Sequence, residues 1–79
     1  MLSRIDMIAR ALRLGETAEG NDRLSELIDA LGPYLTQKDR RALAPIILPI
    51  LKEVLAAQQR GDWLYVADLL EHDLSAVIS

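Results

Sequence analysis

The sequence predicts an all-α domain, and three properties of its 79 residues support that prediction. Hydrophobic residues make up 51% of the chain and are mainly leucine, isoleucine and alanine, with no phenylalanine. They recur at intervals of three and four, which places them on one face of a helix. Many of the other residues, such as glutamate and arginine, are strong helix formers. We therefore predict a small bundle of four to five helices with antiparallel neighbours, forming a single domain over residues 1–79.

The first predicted helix begins at a cap formed by Ser3 and continues to Leu14. Its core-facing stripe consists of Ile5, Ile8 and Leu12. Gly15 suits the turn that ends the helix, because glycine has no Cβ to oppose a positive φ. The following segment, 15–20, is predicted to be a flexible acidic connector.

The second predicted helix has the clearest amphipathic pattern in the chain. Asn21 is a favourable N-cap, and Gly32-Pro33 is expected to end the helix. The core-facing positions, spaced i, i+3, i+4 and i+7, are Leu24, Leu27, Ile28 and Leu31.

The third predicted helix contains two prolines. Thr36 to Asp39 resembles a capping box, with Asp39 where glutamate is usual, and predicts a helix start. Proline donates no amide hydrogen bond and crowds the carbonyl group four residues earlier, which costs about 3 kcal/mol inside a helix. We therefore expect a break near Ala44, with Pro45 opening a new helix. Pro49 then lies at the edge of the first turn or kinks the helix.

The segment from Ile46 to Leu55 is apolar on every side of a helix instead of along one stripe. A helix with this pattern either lies at the centre of the bundle or contacts a partner with its second face. Gly61 is predicted to end it.

The last predicted helix is capped by Asp62. Its core-facing stripe consists of Trp63, Val66, Ala67, Leu70, Leu74 and Val77. Tyr65, Leu69 and Ala76 lie off that stripe. The sequence thus nominates six residues for contact with another protein: Ile46, Leu48, Leu51, Leu55, Tyr65 and Leu69.

The residues from Gly61 to Leu74 follow the form GD-aromatic-xxx-ADLLE-xx-L. This segment resembles one found in small bacterial helical proteins, some of them associated with motility genes. His72-Asp73 stands where that form has Tyr-Glu. The resemblance implies an accessory or regulatory protein and carries over no activity.

A small metal- or ligand-binding domain is the alternative function. His72 is the only side chain with an ordinary pKa near neutrality, and Asp68 and Glu71 are close to it in sequence. A metal site needs three or four converging ligands, whereas Glu71 and His72 point to different faces of a helix. We therefore expect no catalytic, cofactor-binding or metal-binding residues.

A DNA-binding regulator is a weaker alternative, suggested by the cluster of Lys38, Arg40 and Arg41. The net charge of −3 disfavours nucleic acid. The ranges 1–14 and 36–41 carry net positive charge, while 15–29 and 62–73 carry net negative charge, as expected of complementary faces.

The absence of cysteine excludes disulfides and thiolate metal sites. The longest uncharged stretch, 42–51, is too short to span a membrane and contains two of the three prolines. We expect a cytoplasmic, non-enzymatic module that binds neither nucleic acid nor membrane. It would self-associate, as a homodimer, and act on another protein as an adaptor, small chaperone or regulator.

Overall fold

The computed structural model describes residues 2–78, and of Lys38 the backbone alone. Helix α1 spans Leu2–Arg13 and α2 spans Thr17–Thr36. A 3-10 helix over Lys38–Leu43 leads into α3, Ala44–Arg60. The C-terminal helix combines α4 (Trp63–Asp68), a π-helical segment (Leu69–Leu74) and α5 (Ser75–Ile78). The described residues form no strand, so the all-α prediction is confirmed for them.

The hydrophobic core draws most of its side chains from α1, α2 and the C-terminal helix. Its buried members are Ile5, Ile8, Ala9, Leu12, Leu24, Leu27, Leu31, Ile47, Val54, Ala57, Val66, Ala67, Leu69, Leu70 and Leu74. The stripes predicted for α1 and α2 therefore face the core, with Ile28 half-buried at its edge. By contrast, α3 contributes only Ile47, Val54 and Ala57 and lies at the periphery.

The left-handed turn predicted at Gly15 is confirmed, with φ at +83°. The backbone N–H of Glu16 donates to the carbonyl oxygen of Ala11 at 2.9 Å, which closes the end of α1. The predicted cap at Ser3 is wrong, because Leu2 is already helical and Ser3 lies in the first turn of α1.

The predicted connector over 15–20 is also wrong, because α2 begins at Thr17. Gly20 is buried in its second turn, where a Cβ atom would lie 2.7 Å from Leu12 Cδ2. Close packing on α1 thus orders a segment whose composition favours a loop. Asn21 lies inside α2 instead of capping it, and its side-chain oxygen accepts a hydrogen bond from Gln58 of α3.

The predicted end at Gly32-Pro33 is wrong as well, since α2 continues to Thr36. The additional turn packs Tyr34 and Leu35 against the core, which offsets the hydrogen bond that Pro33 cannot donate. The Thr36 hydroxyl donates to the Pro33 carbonyl oxygen at 2.8 Å. Thr36 therefore ends α2, and the capping box predicted from Thr36 to Asp39 does not form.

The change from 3-10 to α-helical geometry occurs at Ala44, and Pro45 lies in the first turn of α3. The missing amide hydrogen of Pro45 matters little there, because the first amides of a helix have no partner within it. Helix α3 continues past Pro49 to Arg60, and Gly61 ends it with φ at +72°.

The C-terminal helix begins as predicted, with Asp62 Oδ1 accepting a hydrogen bond from the Tyr65 backbone N–H at 3.3 Å. Its middle forms a π-helix, in which hydrogen bonds join residues five apart and each turn is wider than an α-turn. Leu69, Leu70 and Leu74 of this segment are all buried.

Candidate protein-binding surface on α3

Helix α3 exposes large aliphatic side chains to solvent. Ile46, Leu48 and Leu55 are 52%, 57% and 44% exposed, and Leu51 is half-buried. All four belong to the set that the sequence nominates for contact with another protein. The all-round apolar character of this segment is therefore explained by a peripheral helix that buries only one of its faces.

These side chains lie on two separate flanks of α3. Successive residues of an α-helix are rotated by about 100°, so residues seven apart share a face. Ile47 and Val54 are such a pair and mark the buried face. A leucine flank, composed of Leu48, Leu51 and Leu55, follows one side of that face. Ile46 and Glu53, also seven apart, follow the other side.

Tyr65 borders the Ile46 side of α3. Its hydroxyl group donates to Glu53 Oε2 at 2.7 Å, and the guanidinium carbon of Arg60 lies 6.0 Å from the centre of its ring. The hydrogen bond to this carboxylate raises the pKa of the Tyr65 phenol above its usual value. Tyr65 remains partly exposed, but its polar end connects the C-terminal helix to α3.

The nomination of Leu69 as a surface residue is wrong, because its side chain is only 3% exposed. The prediction from the sequence rests on regular α-helical rotation along the whole C-terminal helix. The wider π-turn places Leu69 and its neighbour Leu70 together on the core side. The leucine flank therefore has no continuation onto this helix through Leu69.

The stretch Asp39–Arg60 is long and apolar enough to cross a membrane, judged by length and composition alone. Only 17% of the most apolar 18-residue part of this stretch is buried within the chain. A helix that is apolar because it fills a core would be mostly covered. The low burial confirms that the apolar residues of α3 face outward in large part.

The carboxylates considered for a metal site are engaged by an arginine that the sequence analysis missed. Arg13 Nη2 donates to Asp68 Oδ1 at 2.8 Å and to Glu71 Oε2 at 2.9 Å. These hydrogen bonds raise the pKa of Arg13, and the bond to Glu71 contributes more than the bond to Asp68. His72 is exposed, and within residues 2–78 no three side chains of His, Asp or Glu converge on a common point. Asp68 and Glu71 thus join the C-terminal helix to α1.

The basic cluster of the 3-10 helix is partly used within the chain. The guanidinium carbon of Arg40 lies 4.1 Å from the centre of the Tyr34 ring, and Arg40 Nη1 donates to the side-chain oxygen of Gln37. Arg41 is exposed. Arg40 therefore packs the 3-10 helix against the end of α2.

No protein-family model matches the chain, and no curated protein sequence or solved structure matches it. The resemblance of the C-terminal helix to small bacterial helical proteins stays a prediction. Function is therefore inferred from the chain's own geometry.

Proposed function

We propose that this chain is a non-enzymatic module that binds other proteins through the leucine flank of α3 and also self-associates. The observation that carries the proposal is the exposure of Leu48 and Leu55, at 57% and 44%, on either side of half-buried Leu51. The module would act in the cytoplasm as an adaptor, small chaperone or regulator.

The energetic reason is that exposed aliphatic side chains favour association. Burial of one leucine or isoleucine side chain is worth about 1.5–3 kcal/mol relative to leaving it in water. A domain of this size is only marginally stable, so it gains proportionately from surface that a partner covers. Burial of the half-exposed leucines of α3 against a partner therefore contributes free energy to binding that folding of the chain alone does not provide.

The spacing of the leucine flank indicates what kind of partner fits it. Leu48, Leu51 and Leu55 stand at i, i+3 and i+7, the arrangement by which one helix presents anchors to an apolar groove. Lys52 lies next to this row and would contact the rim of that groove. A partner with an aliphatic groove and a carboxylate at its edge satisfies both features.

We further propose that α3 is kinked at Pro45 and Pro49, within a bundle whose neighbouring helices are antiparallel. A proline inside a helix crowds the preceding turn and tilts the axis. Such a bend would keep Leu48 available to a partner. Lys52 and Glu53, in the middle of the apolar stretch, favour a protein over a lipid bilayer as that partner.

Site-specific photo-cross-linking in the native cell tests the proposal. A photoreactive phenylalanine analogue placed at position 48, and separately at 55, is expected to form a defined protein adduct. The matched control places the analogue at Arg41, which is also exposed but carries no neighbouring leucine row.

Specificity is tested by adding Leu55→Asp to the chain that carries the analogue at position 48. A buried, unpaired carboxylate at the interface is strongly unfavourable, so the adduct should fall by at least about tenfold. Adducts of equal yield from positions 48 and 41, or adducts to lipid alone, would contradict the proposal. Circular dichroism confirms that each variant folds.

A further inference from the structure

Helices α1 and α2 form a groove on the side of the molecule that the proposed α3 surface does not use. One part of it is lined by Arg4, Met7, Ile8, Arg23 and Glu26. The adjoining part, of about 250 Å³, is lined by Met7, Arg10, Ala11, Leu14, Glu16, Glu19 and Arg23. Met7 and Arg23 are common to both parts, so the groove is continuous.

The groove has an apolar midline. Met7 and Leu14 project into it and are 54% and 68% exposed. Ala11 lies between them on α1, which leaves room for side chains from another chain. An exposed apolar surface that is rimmed by polar residues is typical of a protein-binding site.

The two walls of the groove carry opposite charges. Arg4 and Arg10 belong to α1, whereas Glu16 and Glu26 belong to the α2 side. None of these four side chains pairs with another described residue, while Arg23 and Glu19 bind each other at 3.0 Å. The groove therefore presents unpaired positive charge on one wall and unpaired negative charge on the other.

We infer that this groove is the homodimer interface, occupied by the same groove of a second copy. A twofold axis running along the groove places α1 of each copy over α2 of the other. Because such an axis pairs residues at the same level, Arg4 then faces Glu26 of the second copy, since both line the same part of the groove. The two methionines at position 7 meet at the midline. An axis running across the groove would oppose arginine to arginine, so charge selects the first arrangement.

This inference rests on the self-association proposed above and assigns it to a surface distinct from α3. The leucine flank would then remain exposed in the dimer, free for a different protein. A chain that uses one face to pair with itself and another to hold a partner has the layout of a bivalent adaptor.

Charge reversal combined with mixing tests the inference by sedimentation velocity. The wild-type chain is expected to be a dimer, and Arg4→Glu or Glu26→Lys alone should weaken dimerisation by at least about tenfold, since each opposes like charges. An equimolar mixture of the two variants should restore the dimer, because the reversed pair and the native pair are both complementary. Leu48→Asp with Leu55→Asp serves as the matched control and should leave the dimer intact.

A wild-type chain that stays monomeric, single variants that still dimerise, or a mixture that stays monomeric would each overturn the inference. Circular dichroism verifies folding, and Arg4→Gln replaces Arg4→Glu if the latter unfolds. Cross-linking from position 48 to a different protein would be unaffected by these outcomes. The groove and the α3 surface can therefore fail independently.

Discussion

Gly20 of α2 packs so closely on Leu12 of α1 that a Cβ atom at position 20 would lie 2.7 Å from Leu12 Cδ2 and 3.1 Å from its Cγ. Both residues are buried, and the turn at Gly15 joins the two helices over a very short distance. This contact lets α1 and α2 approach closely enough to form the two walls of the groove.

We expect Gly20→Ala to destabilise the fold by about 1 kcal/mol. Overpacking against the buried Leu12 costs about 1–3 kcal/mol, and the higher helix propensity of alanine returns about 1 kcal/mol. Gly32→Ala is the matched control, because nothing lies within 4 Å of its Cβ position. It should be neutral or stabilise by less than about 1 kcal/mol, since the following Pro33 limits the gain. Urea unfolding measures both, and equal effects would contradict the close contact.

The burial of Leu69 predicts a large difference between two leucine truncations. Leu69→Ala should cost about 2–5 kcal/mol, because it removes a core side chain and leaves a cavity. Leu48→Ala should change stability by less than about 0.5 kcal/mol, since Leu48 projects into solvent. Both are measured by chemical denaturation of the dilute protein. If Leu69→Ala were as mild as Leu48→Ala, the π-helical placement would be wrong.

The ion pairs of Arg13 predict a stability effect that depends on salt. Arg13→Gln removes both bonds to Asp68 and Glu71 and should lower the melting temperature slightly in dilute buffer. In 1 M NaCl the difference from wild type should nearly vanish, because the screening length falls to about 3 Å. The partial exposure of all three side chains keeps the effect small. A difference unchanged by salt would instead indicate that the arginine acts through packing.

The hydrogen bond between Tyr65 and Glu53 predicts a pH-dependent contribution to stability. The bond favours the protonated phenol in the folded state, so its pKa lies above the ordinary 10.0. The contribution is therefore fully present below pH 10.0 and is lost as the pH rises through the raised value. In a Tyr34→Phe background, tyrosinate absorbance should show the pKa of Tyr65 falling when Glu53 becomes Gln. An unchanged pKa would exclude the bond in solution.

The sequence alone predicts the helical class, the inward stripes of α1 and α2, the turn at Gly15 and the cap at Asp62. These features depend on local spacing and on the conformational limits of single residues. Helix boundaries near Gly20 and Pro33 are missed because packing against the core overrides local preference there. A glycine in a connector and a glycine at a close helix contact look identical until the neighbouring helix is placed.

The candidate surface was predictable only in part. The apolar pattern of α3 nominates Ile46, Leu48, Leu51 and Leu55 but cannot decide between a central and a peripheral helix, which depends on what the other helices cover. Leu69 is misplaced because no sequence signal marks the π-turn. The groove between α1 and α2 is missed because its opposite walls become visible only after the two helices pack together.

The central claim is that Leu48 and Leu55 of the leucine flank are open to other chains and do not belong to the core. Methyl-labelled leucines and a soluble paramagnetic agent measure this directly by NMR, with Leu64, which is 60% exposed, and Leu69 as the exposed and buried references. The methyl groups of Leu48 and Leu55 should relax as fast as those of Leu64. Relaxation as slow as that of Leu69 would contradict the claim.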